Sequence, residues 1–215
     1  MHDPRSRRRW FRRAGIAFGA LLVPTWAAWA ERLLATPEMT EGPFYPRQLP
    51  LDDDNDLIHV KGQTGIASGV PLDLTGRVVD VEGRPLRNVQ VEIWQCNAFG
   101  RYHHPDAPAS APVDPKFQGF GRTVSDVDGR YLFRTIKPVP YPGRAPHIHF
   151  KLRGRAVGEF TTQMFVAGEP LNERDFIYRS LRDPDVRARQ TVALAAAPSG
   201  SGAALLADYD IVLGL

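Results

Sequence analysis

At 215 residues, 43% of them hydrophobic and with no long low-complexity tract, the chain is long enough to bury one full core. Its formal charge of +3 is unevenly placed: residues 1–30 hold six arginines and one acid, Asp3, which leaves −2 for the rest. A mildly acidic body without clustered Lys and Arg argues against nucleic acid as a partner, and the single cysteine, Cys96, excludes an intrachain disulfide.

Taken in chain order, residues 1–30 read as an export leader of twin-arginine type. Arg8-Arg9-Trp10-Phe11 lies in a basic start, residues 14–30 carry no charge, and Ala28-Trp29-Ala30 offers a small-x-small cleavage pattern. Pro24 interrupts the apolar run, which is short for a membrane span of about 20 residues. The reading is therefore a leader followed by one domain over 31–215, exported to the periplasm or beyond, with no span retained after leader removal.

The domain patterns as mostly β. Residues 76–80 precede a turn at Glu82-Gly83, and Val89, Val91 and Ile93 then alternate with Gln90, Glu92 and Trp94, which predicts a hairpin. Asp128-Gly129 turns into a strand over 131–135, a strand follows around His147, and 161–166 reads as another. Short strands divided by Gly and Pro turns predict a β-sandwich core of antiparallel strands with short helices and long loops. The helices are expected near 173–180 and 185–195, the second starting at Asp183-Pro184.

Two short patterns are weaker. Asp52, Asp54 and Asp56 alternate like the start of a calcium loop, but Leu57 and Gln63 stand where Gly and Glu are needed, so a solvated loop is expected. Gly119-Phe120-Gly121 lacks the third glycine of a dinucleotide site and reads as a strand-edge turn.

The chemistry concentrates in Pro146-His147-Ile148-His149-Phe150. On a strand, alternate side chains share a face, so His147 and His149 are presented side by side while Ile148 and Phe150 face the other way. Tyr141 lies six residues upstream between Pro140 and Pro142, on a loop stiffened by both rings, and Tyr102 sits in a turn-rich segment after Asn97. Imidazole suits iron, copper, nickel and zinc, whereas a phenolate favours a highly charged hard cation, so the set leans towards Fe(III). His103 and His104 adjoin Tyr102, and strand geometry lets at most one of them face the same pocket.

From about Thr36 to the C-terminus the chain resembles the intradiol ring-cleaving dioxygenases. The resemblance rests on Glu41-Gly42-Pro43-Phe44-Tyr45, Val91-Glu92-Ile93-Trp94-Gln95, Asn97 to Tyr102, Asp128-Gly129-Arg130-Tyr131, Arg144 to Phe150 and Thr162-Gln163-Met164-Phe165. It implies a ferric ion, Fe(3+), held by Tyr102, Tyr141, His147 and His149. It further implies Arg144 and Gln163 beside the substrate, with Tyr141 and Arg144 in catalytic roles. The reaction implied opens a catechol-type diol with O2, between its hydroxyl-bearing carbons, to a cis,cis-muconate-type diacid. The chain lacks the long helical N-terminal region of the catechol-specific dimers, so a protocatechuate-type architecture is expected, as a homo-oligomer or with a related second chain. Two other classes stay open. A non-catalytic β-sandwich binding module would need neither tyrosine, and a zinc hydrolase using His147 and His149 would need a third His, Asp or Glu ligand.

Overall fold

The computed structural model describes residues 32–50 and 52–215, so the leader expectation lies outside the described residues. Two mixed five-stranded sheets face one another. The first is organised on β1 (Pro71–Asp80), which pairs along one edge with β4 (Arg130–Ile136) and also with β9 (Leu205–Asp208) and β10 (Ile211–Leu213); β8 (Ala195–Ala196) extends β9. The second runs β3 (Phe120–Val124), β2 (Gln90–Trp94), β5 (His147–Gly154), β6 (Gly158–Val166) and β7 (Thr191–Val192). Leu72, Leu74 and Phe133 from the first sheet meet Val91, Ile93, Ile148, Phe150 and Leu152 from the second in one buried core. Each such side chain contributes about 1.5 to 3 kcal/mol by leaving water.

Two strand expectations need correction. Although β1–β4, β2–β3, β2–β5, β5–β6 and β8–β9 are antiparallel, β1 pairs in parallel with β9 and β10, and β6 in parallel with β7. The 76–94 hairpin does not form, because β1 and β2 belong to opposite sheets. The turn is real, with Gly83 N–H donating to the Asp80 carbonyl, and pairing continues as far as Leu86 N–H to Val78 O. Asn88 then takes a left-handed φ of 58° and donates to Ser125 O, which sends the chain across to the other layer.

Helix is short where it was expected. A 3-10 turn (Pro170–Arg174) leads into α1 (Phe176–Ser180), and α2 (Pro184–Arg189) is capped by Asp183, which accepts from Asp185 N–H. α2 stops well before 195 because the chain is drawn into β7 beside β6. Among the described residues no helix is long and apolar enough to cross a membrane. The aspartates of the 52–56 loop are engaged by side chains, Asp52 with Lys61 and Asp56 with His59 nearby in sequence, and Asp53 with Arg122 on β3.

What the fold does for function is visible on β5. Ile148, Phe150 and Leu152 enter the core, yet His147, His149 and Lys151 on the other face are buried as well. Loops cover the outer side of the second sheet, so the two histidines stand on a rigid strand in a closed space.

Candidate metal centre

Strand register sets the base of the site: His149 lies opposite Trp94 on β2 and Gln163 on β6, and His147 opposite Phe165. The indole of Trp94 stacks on the His149 ring, with centroids 4.7 Å apart and planes 8° off parallel, which fixes the plane of that imidazole. His147 Nδ1 lies 2.6 Å from the Ala145 carbonyl, so it carries the proton and Nε2 is the nitrogen with the lone pair, facing His149 Nε2. The two Nε2 atoms are 3.1 Å apart.

The tyrosines reach this pair from two loops. Tyr102 follows a turn in which the Asn97 side-chain oxygen accepts from the N–H groups of Phe99 and Arg101. Gly100 has a φ of 78°, and a Cβ there would lie 2.9 Å from the Pro140 carbonyl, so only glycine lets the two tyrosine loops approach. Tyr141 opens a turn closed by Arg144 N–H to Tyr141 O at 2.9 Å, with Pro142 and then Gly143, at φ 82°, in the middle. That turn folds Arg144 back onto its own tyrosine. Ring centroids are separated by 5.3 Å for Tyr102 and Tyr141, 6.2 Å for Tyr102 and His149, 5.6 Å for Tyr141 and His147, and 4.7 Å for the two histidines. Residues up to 47 positions apart in sequence thus face one small volume.

Burial governs the protonation of all four groups. Burial pushes the Tyr102 phenol well above its ordinary value, and its hydroxyl has no hydrogen-bond partner among the described residues. Burial also raises Tyr141, which the Arg144 guanidinium partly offsets. Burial and then Arg144 lower His147 to about 3, while burial, His147 and Arg144 hold His149 well below its ordinary value. Both imidazoles therefore keep neutral lone pairs, and both phenols lose their protons only when a cation takes the protons' place.

Arg144 and Gln163 join the cluster, although the first is less free than a substrate-facing arginine need be. Arg144 donates from Nε to Asp175 at 2.7 Å and from Nη2 to Gln163 Oε1 at 2.7 Å, and its Nη1 stands 3.4 Å from the Tyr141 hydroxyl. Gln163 in turn donates to the Thr40 carbonyl at 2.8 Å. Asp175 escaped the sequence reading; the signal available was an aspartate at the start of a helical segment. Phe44, stacked on Tyr102 at 4.7 Å, was visible only as part of the quoted run of residues 41–45.

His103 and His104 stay outside. His103 Nε2 meets the Asp114 carbonyl at 3.1 Å, and His104 Nδ1 accepts from Asp106 N–H. Among the described residues no three His, Cys, Asp or Glu side chains converge as a metal-holding group, which removes the third ligand that a zinc hydrolase would need. Tyr141 lines two cavities. One, of about 180 Å³, is largely apolar, bounded by Phe44, Phe99, Tyr102, Pro108 and Pro142; the other, of about 220 Å³, includes Arg144, Leu171, Arg174 and Asp175.

Residues 40–214 match the sequence model of the family described as dioxygenase (Dioxygenase_C). The chain belongs to the intradiol ring-cleavage dioxygenases. It is 41% identical over 168 residues to the protocatechuate 3,4-dioxygenase beta chain of Burkholderia cepacia, covering 74% of this chain and 71% of that one. Catechol 1,2-dioxygenase of Acinetobacter baylyi is 31% identical over 169 residues, 67% of this chain and 50% of that protein, so the chain spans about half the length of such relatives. Among solved structures, the dioxygenase domain of a dioxygenase and carbohydrate-binding fusion from Streptomyces sp. SirexAA-E superposes with a TM-score of 0.65 at 28% identity, over 84% of this chain and 99% of that one. Intradiol dioxygenases are oxidoreductases that incorporate O2, and the family generally uses Fe(3+). The donor set fits such an ion in two ways: an unpartnered buried phenol and an imidazole whose tautomer is fixed from behind.

Proposed function

We propose that this chain opens the ring of a catechol-type diol with O2, using a ferric ion held by Tyr102, Tyr141, His147 and His149. The observation that carries the reading is the convergence of two phenols and two imidazoles on one buried volume, with the Tyr102 hydroxyl left without a protein partner. When bound, the ferric ion draws electron density from the diol so that a ring carbon can meet O2.

The protein's own residues divide the remaining work. Tyr141 is less buried than Tyr102 and its oxygen faces Arg144, so it is the phenol suited to take up and release a substrate proton at Oη. Arg144 is a fixed cation aimed at that oxygen, and it stabilises negative charge that builds on the substrate; Gln163 fixes the edge of its fork. The apolar cavity beside Tyr102 and Tyr141 accepts an aromatic ring and keeps water from it. The single-ring diols named for the relatives, catechol and protocatechuate, are the substrates to try first.

The iron-loaded protein should be burgundy, from phenolate-to-iron charge transfer, and anaerobic catechol should move the band to longer wavelength. In air, one of these diols should give a ring-opened diacid with uptake of one O2. A colourless protein that binds stoichiometric zinc and gains no visible band on ferric reconstitution would overturn the reading.

A further inference from the structure

We propose that Asp175 is a positioning residue for ring cleavage, holding Arg144 in its working orientation and tying it to the histidine strand; the proposal rests on the function proposed above. The Asp175 side chain is fully buried, and its two oxygens do different things. Oδ1 caps α1, accepting from Ile177 N–H at 2.9 Å and Tyr178 N–H at 3.0 Å. Oδ2 turns towards the site, accepting from Arg144 Nε at 2.7 Å and from Ala145 N–H at 2.8 Å.

The consequence follows from the shape of a guanidinium. A planar fork pinned at Nε by Asp175 and at Nη2 by Gln163 has no rotation left, so its Nη1 edge is directed at the Tyr141 hydroxyl. Gln163 is itself anchored on the Thr40 carbonyl, and Phe176 lies beneath the guanidinium with its ring centroid 5.7 Å from Cζ. The Ala145 residue held by Asp175 is also the one whose carbonyl accepts from His147 Nδ1. One carboxylate therefore sets the arginine, the entry to the histidine strand and the helix that closes that side of the site. Remove it, and Nε loses its acceptor while the fork keeps only the Gln163 contact and a long approach to Tyr141.

The alternative is that Asp175 merely caps a helix and steadies the fold. The division of labour between its oxygens separates the two. A serine hydroxyl caps a helix well but cannot also engage Arg144. In Asp175→Ser we expect retained fold and iron, a lowered Tm because Arg144 is left buried without its carboxylate, and a fall in kcat of about 10- to 100-fold with little change in KM. If Asp175 acts through Arg144, the loss should vanish once the arginine is gone. Arg144→Gln and Arg144→Gln/Asp175→Ser should then turn over within about 2- to 3-fold of each other. The metal-free protein gives a readout independent of turnover: the Arg144 Nε–H should exchange slowly with solvent in the wild type and lose that protection in Asp175→Ser. Asp175→Asn, which keeps the volume of the side chain, serves if the serine variant does not fold.

Wild-type kcat in Asp175→Ser, unchanged Nε–H protection, or losses that multiply in the double variant would each overturn the proposal. A wild-type protein that opens no diol ring would instead overturn the function on which it rests, so the two failures are distinguishable.

Discussion

Replacing Tyr102 by Phe should raise the stability of the metal-free protein and cut the stabilisation that metal adds. Most buried tyrosines bond through the hydroxyl, and losing that bond costs about 1 kcal/mol. The Tyr102 hydroxyl is buried and has no protein partner, while its ring is held by Phe44 at 4.7 Å. Phenylalanine keeps the stacking and removes an unsatisfied polar group, a gain of about 1 to 3 kcal/mol in the metal-free protein. For a chain of this size that raises Tm by roughly 2 to 4 °C per kcal/mol. Adding ferric ion should favour the wild type by about 2.3 kcal/mol, which narrows the gap and reverses the order wherever the metal-free gain is smaller than that. A ligand present at about a hundred times its Kd stabilises by about 2.7 kcal/mol, whereas a variant whose affinity is a hundredfold lower gains only about 0.4 kcal/mol. The assay is thermal or urea unfolding of both proteins, metal-free and iron-loaded, with the visible band recorded alongside. A metal-free Tyr102→Phe protein less stable than wild type by more than about 1 kcal/mol would refute the argument, as would an undiminished iron-induced shift with a normal band.

Further outcomes are expected. Arg144→Ala should keep iron and colour but slow turnover on the order of 100- to 1,000-fold. It should also destabilise the fold by about 3 to 5 kcal/mol, because Asp175 is left buried without its cation; a variant normal in both rate and urea midpoint would remove both roles. Stability of the metal-free protein should depend on pH through His147, whose folded value of about 3 lies below the ordinary 6.5, and through His149, which is also held well below it. The stabilisation is complete above 6.5 and is lost as pH falls below it, at up to about 1.4 kcal/mol per pH unit for each histidine, and urea midpoints at pH 7, 6 and 5 measure it. Gly100→Ala places a Cβ against the Pro140 carbonyl at a left-handed φ, so it should cost at least about 1 kcal/mol and weaken iron binding, read by unfolding and by metal titration.

The sequence alone determined the class of fold and the local geometry of the candidate residues. Strand alternation is a local property of the backbone, so His147-Ile148-His149 had to place two imidazoles on one face wherever the strand went. Pro142-Gly143 likewise dictated a turn after Tyr141, and Asp183-Pro184 a helix start. Which strands pair is not local. The 76–94 stretch has hairpin patterning, yet its two strands occupy different sheets, because the single left-handed residue at Asn88 redirects the chain and partners from residues 120–136 and 205–213 compete for the edges. Alternation cannot say whether the outward face of a strand meets water, and here loops bury the histidine face as fully as the core face. The convergence of Tyr102 with His149 and the seating of Arg144 on Asp175 span 47 and 31 residues, respectively. Contacts of that kind are set by how two sheets and their covering loops pack, and no short stretch of sequence carries them.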